Sequence, residues 1–105
     1  MPKIEANQGV ITQINVFTVE PEDQQTLIDF LIEAANAVRD VPGWMSASIH
    51  RSLDGQNVVN YAQCESHEAW EAVMVKLREG GYFDPDKRRG TAHPCLCEVV
   101  ATIER

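Results

Sequence analysis

The chain has 105 residues, enough for one hydrophobic core and too few for two, so a single domain is expected. Hydrophobic side chains make up 44 %, with only 6 Gly and 5 Pro, while 16 acidic against 9 basic residues give a formal charge of −7. That charge repels a phosphate backbone and excludes nucleic acid as a partner; no apolar run nears the ~20 residues of a membrane span, and the N-terminus MPKIEANQG lacks the apolar core of a signal peptide, so the cytosol is expected.

Residues 1–8 are polar and aperiodic and read as a loose arm, with the domain over 9–105. Val10–Val19 is rich in β-branched residues and predicts a first strand, ended by Glu20-Pro21. Pro21 suits a first helical turn, and the acidic Glu22 and Asp23 complement the helix N-terminus. Leu27, Phe30, Leu31, Ala34, Ala35 and Val38 recur at helical spacing and mark the core face of a helix ending near Arg39, before the breaker Val41-Pro42-Gly43. Trp44–Arg51 predicts a second strand, and Asp54-Gly55 favours a hairpin into a third, Asn57–Glu65. Ser66 is placed to cap a second helix whose buried stripe is Trp70, Val73, Met74 and Leu77, with Gly80-Gly81 as its stop. Tyr82–His93 lacks periodicity and reads as a loop; Cys95–Glu104 predicts the last strand, with Val99-Val100 buried on both faces.

This order is the split βαβ, or ferredoxin-like, arrangement of the α+β class. Two helices would cover one face of a four-stranded antiparallel sheet. The other face must meet solvent or a second subunit, and apolar residues on both strand parities favour a face-to-face homodimer.

The three cysteines, Cys64, Cys95 and Cys97, have no CxxC spacing, so reduced thiols are expected. Cys95 and Cys97 would share a side of their strand, where a bridge between residues so close is strained. No His or carboxylate spacing matches a metal site.

Alternation places Asn60 with Val58, Ala62 and Cys64 on one side of the third strand. A buried amide must be paired or costs about 1–3 kcal/mol, so this Asn either bridges backbone groups or addresses a ligand. Asn15 is in the same situation beside Ile11, Gln13 and Phe17 on the first strand. In a split βαβ sheet the first and third strands are central neighbours, so both amides can converge under the helices to orient an oxygen-rich substrate. His67 and His93 are the side chains with pKa nearest neutrality; His67 opens a helix toward solvent, and His93, beside Pro94, could overlook a pocket. Lys87-Arg88-Arg89 is a basic run in an acidic chain, which reads first as a solvated loop.

The run Val58-Val59-Asn60-Tyr61-Ala62-Gln63-Cys64-Glu65-Ser66, followed by Glu68-Ala69-Trp70, resembles the antibiotic biosynthesis monooxygenase family, and most of all its anthrone-oxidising polyketide branch. There this strand reads Asn-Tyr-Ala-Gln-Trp, then a charged residue and Ser. The resemblance implies a homodimeric α+β barrel that uses no flavin, haem or metal, and acts on a small aromatic substrate with O2. The deprotonated substrate passes an electron to O2, and the resulting hydroperoxide loses water to give a quinone. Carried over, Asn15 and Asn60 would bind the substrate oxygen and favour its ionised form. Trp70 would be a pocket aromatic, or else plain core. Arg88 or Arg89 would steer an acidic or phenolate substrate, and His93 would overlook it. Cys64 stands where relatives place a Trp against the substrate rings, which leaves a noncatalytic small-molecule-binding dimer as an alternative. Haem degradation, a further alternative, would need a histidine on the second helix after His67, and none is there.

Overall fold

In the computed structural model, which describes residues 3–105, the β-branched run near the N-terminus forms β1 (Ile11–Thr18). The first two residues of the expected arm lie outside the described residues. Asn7, in the same arm, donates its backbone N–H to Val99 O at 2.9 Å. Pro21–Asp23 make a 3-10 turn that leads into α1 (Gln24–Val38). Then follow β2 (Trp44–Arg51), β3 (Asn57–Cys64), α2 (His67–Glu79) and β4 (Thr91–Cys97). Ser66 caps α2 as expected, its hydroxyl accepting from Ala69 N at 3.1 Å.

The strands lie in the order β2-β3-β1-β4, and every neighbouring pair is antiparallel. This is the ferredoxin-like α+β fold, with β1 and β3 central. Gly43 (φ +89°) lets the breaker turn pass under α2, where a Cβ would come within 2.5 Å of Ala69 Cβ. Gln24 fastens α1 to the hairpin, donating to Ser52 O and Asn57 O at 3.2 and 2.9 Å.

The last strand differs from expectation at both ends. It begins at Thr91, inside the expected loop, because Pro94 is tolerated on an edge strand that needs only one ladder of hydrogen bonds. It stops at Cys97, opposite Thr12, because β1 supplies no partner beyond Ile11. Val100 is therefore 71 % exposed rather than buried on both faces.

On the helix face the core falls into two clusters. Phe17, Val19, Leu27, Ile28, Leu31 and Val58 pack at one end, and Val38, Cys64, Ala69 and Val73 at the other. Phe30, Ala34, Ala35, Met74 and Leu77 belong to the expected stripes but are only half-buried, because they wall a hollow between the clusters. On the opposite face the register partners Thr12 and Gln63 are both buried, with Gln63 Nε2 donating to Thr12 Oγ1 at 3.1 Å.

Candidate active site

The hollow lies between the sheet and both helices, with about 690 Å³ of empty space including its open mouth. Alternation along β1 and β3 turns Gln13, Asn15, Asn60 and Ala62 into it. Phe30, Met74, Tyr82 and Phe83 add an apolar, aromatic wall. A second recess opens toward β4 between Trp70, Pro94 and Leu96; Gln13, Asn15, Met74, Phe83 and Arg88 line both parts. Among the described residues, no carboxylate and no histidine lines either part.

Asn15 and Asn60 are direct partners across the β1–β3 ladder. In such antiparallel pairs the Cβ atoms lie about 4.5–5.5 Å apart, close enough for both amides to reach one small group. The backbone N–H of His93 donates to Asn15 Oδ1 at 3.1 Å. That bond fixes the carboxamide and leaves its two N–H donors free for a ligand. Asn60 Oδ1 is buried without a hydrogen-bond partner. The site thus pairs a fixed donor with a waiting acceptor.

Arg88 reaches the hollow from the loop before β4, its guanidinium carbon 5.3 Å from the centre of the Phe17 ring. Gly90 (φ +81°) makes this approach possible, since a Cβ there would meet Thr18 O at 2.7 Å. Arg88 Nε and Trp70 Nε1 are also buried and unpaired. Together with Asn60 Oδ1, the orphaned side-chain atoms among the described residues all belong to residues that line this one hollow.

Three sequence expectations fall outside it. Cys64 sits under α2 in the core cluster with Val38, Ala69 and Val73, and burial pushes its thiol pKa up, which suppresses the nucleophilic thiolate. Arg89 is exposed and does not line the hollow. His93 does not overlook it either. It pairs with Val16, so its side chain emerges on the sheet face opposite to that of its neighbours Ala92 and Pro94, which line the recess. What His93 gives the site is its backbone N–H. Gln13, Phe30, Met74, Tyr82 and Phe83 were not read as site residues; the half-polar alternation of Gln13 with Asn15 was the one signal for any of them. Cys95 and Cys97 lie on one side of β4, as expected, with their sulfurs 3.5 Å apart. No group of three or more His, Cys, Asp or Glu is placed to hold a metal among the described residues.

The family model for antibiotic biosynthesis monooxygenases matches residues 10–74, which include both asparagines and most of the wall. The tetracenomycin-F1 monooxygenase of Streptomyces glaucescens is 37 % identical over 101 residues, covering 95 % of this chain and 90 % of that protein. The chain belongs to the antibiotic biosynthesis monooxygenase family. It is an enzyme, an oxidoreductase of the monooxygenase type. Solved structures agree with the fold. The monooxygenase from the ActVA-Orf6 gene of Streptomyces coelicolor, in complex with nanaomycin D, superposes with a TM-score of 0.79 at 26 % identity, over 93 % of this chain and 94 % of that one. SnoaB, a cofactor-independent oxygenase from Streptomyces nogalater, superposes as a mutant form with a TM-score of 0.76 at 18 % identity, over 92 % and 99 %. Among the described residues of this family member, no helix is long and apolar enough to cross a membrane.

Proposed function

We propose that this monooxygenase converts an anthrone-like polycyclic phenol to its quinone with O2, without flavin, haem or metal. The observation that carries the reading is the Asn15–Asn60 pair at the floor of an aromatic-walled hollow. An anthrone presents a carbonyl flanked by phenolic hydroxyls. The free N–H of Asn15 matches the carbonyl, and the unpaired Asn60 Oδ1 matches a neighbouring O–H. Loss of a ring-methylene proton moves negative charge onto the carbonyl oxygen, where a preorganised donor stabilises it more strongly than it stabilises the neutral ketone. The carbanion then gives one electron to O2. The radical pair joins as a hydroperoxide, which loses water to leave the new carbonyl. All four electrons that reduce O2 come from the ring methylene as it becomes the carbonyl, and the second oxygen atom leaves in that water.

The names of the relatives support this reading: one acts on tetracenomycin F1, and SnoaB is described as cofactor-independent. Kinship with a named monooxygenase over 95 % of the chain favours catalysis over the noncatalytic alternative. Haem degradation finds no histidine on the wall to ligate iron. The test is oxygen uptake with dithranol, in which Asn15→Ala, which removes the donor to the developing oxyanion, is expected to lower kcat about 10²–10³-fold. An unchanged rate in that variant sinks the assignment.

The working unit is proposed to be a homodimer, formed through the sheet face that the helices leave open. Residues 98–105 have strand-like composition but form no strand within the chain, and Ile103 is 95 % exposed. Apolar residues with unused backbone groups favour a partner sheet.

A further inference from the structure

Two thiols that the proposed oxidation does not use lie at the end of the edge strand. Cys95 and Cys97 are two residues apart on β4, so they share the sheet face that points away from the hollow, and their sulfurs are 3.5 Å apart. Cys97 Sγ donates to Cys95 Sγ, and that bond is the main cause that pushes the Cys97 thiol pKa up. Cys97 thus holds the proton that the pair shares, while Cys95 is the sulfur exposed to solvent. Along a strand, residues two apart have Cα atoms about 6.4–6.8 Å apart, the upper end of what a disulfide spans, so a bridge requires the strand to shorten. β4 is where that costs least: it is the edge of the sheet, and Thr12↔Cys97 is the last pair of its ladder with β1. A bridge there gives up pairing at one frayed end only. A bridge held under such strain is readily reduced again, as labile disulfides are and structural ones are not.

We propose that Cys95 and Cys97 form a redox-active dithiol that reduces hydroperoxides and closes reversibly to a disulfide within one chain. The Cys95 thiolate attacks one oxygen of the hydroperoxide. The O–O bond breaks, Cys95 becomes a sulfenic acid, and the other oxygen leaves as an alcohol, or as water when the oxidant is hydrogen peroxide. Cys97 then attacks the Cys95 sulfur, the S–O bond breaks, and water leaves as the disulfide forms. The pair gives up two electrons and two protons, and an external thiol restores them by exchange. None of these steps involves the asparagines or the aromatic substrate. Both cysteines lie on the sheet face proposed for the second copy, so a bridge between copies is the competing product.

The full chain is treated with hydrogen peroxide, alkylated, digested with trypsin and read by mass spectrometry. The peptide of residues 90–105, which holds both thiols, is expected to lose the mass of two hydrogens and its alkylation, and to recover both after dithiothreitol. Cys97→Ser should stop at a sulfenic acid on Cys95 that dimedone captures, and Cys95→Ser should form no bridge. Cys64→Ala should oxidise as the parent does, because Cys64 is buried under α2 away from the pair. Circular dichroism of each variant reports folding. Full alkylation of both thiols after peroxide, a bridge between copies on a non-reducing gel, or dimedone capture as strong in the parent as in Cys97→Ser overturns the proposal.

Discussion

Asn15 acts through a division of labour within one carboxamide: its oxygen is held by His93 N–H and its nitrogen is left to the cavity. Asn15→Ala is expected to lower kcat for dithranol oxidation about 10²–10³-fold with a smaller change in KM, as for loss of a donor that matters most in the transition state. Asn15→Asp keeps the acceptor for His93 but sets a negative charge beside the proposed oxyanion, so steady-state oxygen uptake should fall at least as far. Cys64 is the contrasting case, a residue whose environment removes its chemistry. Burial raises its pKa above the ordinary 9.0, so as pH climbs past 9 the unfolded chain loses this proton before the native one does. Stability should decline in that window, with no contribution from this group below it, and urea unfolding of Cys64→Ala should show a shallower decline. Cys64→Trp places a much larger side chain in a packed cluster. It should destabilise by roughly 1–3 kcal/mol, seen as a lower Tm in a thermal scan.

At the scale of elements, both helices were readable from the sequence because their apolar spacing, the Ser66 cap and the acidic residues before α1 and in the first turn of α2 agree with one another. The central strands were readable from their β-branched runs. The edge strand was not. Pro94 interrupts the local pattern, and the alternation that would override it becomes visible only once β1 supplies the register, Asn15 opposite Pro94. That single shift also decides the histidine: with the strand starting at Thr91, His93 shares a face with Cys95 and Cys97 and cannot reach the hollow. The asparagines were legible because a polar amide on an apolar strand face stands out. Arg88 was separable from Arg89 only by the path of the loop through Gly90, which sequence periodicity does not encode. Gly43 offers a test of how closely the elements must approach. Gly43→Ala combines a positive φ with a 2.5 Å approach to Ala69 Cβ, so its cost should reach or exceed about 1–3 kcal/mol in denaturant unfolding.

Across the whole molecule, an acidic protein of net charge −7 holds one arginine at a cavity that, among the described residues, has no carboxylate in its lining. The fold sets that cavity between its helices and leaves the part-buried Ile14, Val16, Val59 and Tyr61 of the opposite sheet face for the proposed second copy. Light scattering should therefore give twice the 11.8 kDa chain mass, and removal of residues 98–105 should shift the population toward monomer. The proposed reaction is measured by oxygen uptake by chelator-treated protein with dithranol, followed together with quinone formation. Protein-dependent uptake, equimolar with quinone, is expected without added metal or flavin, and it should fall about 10²–10³-fold in Asn15→Ala. Uptake no faster than without protein, or equally fast in Asn15→Ala, would contradict this reaction.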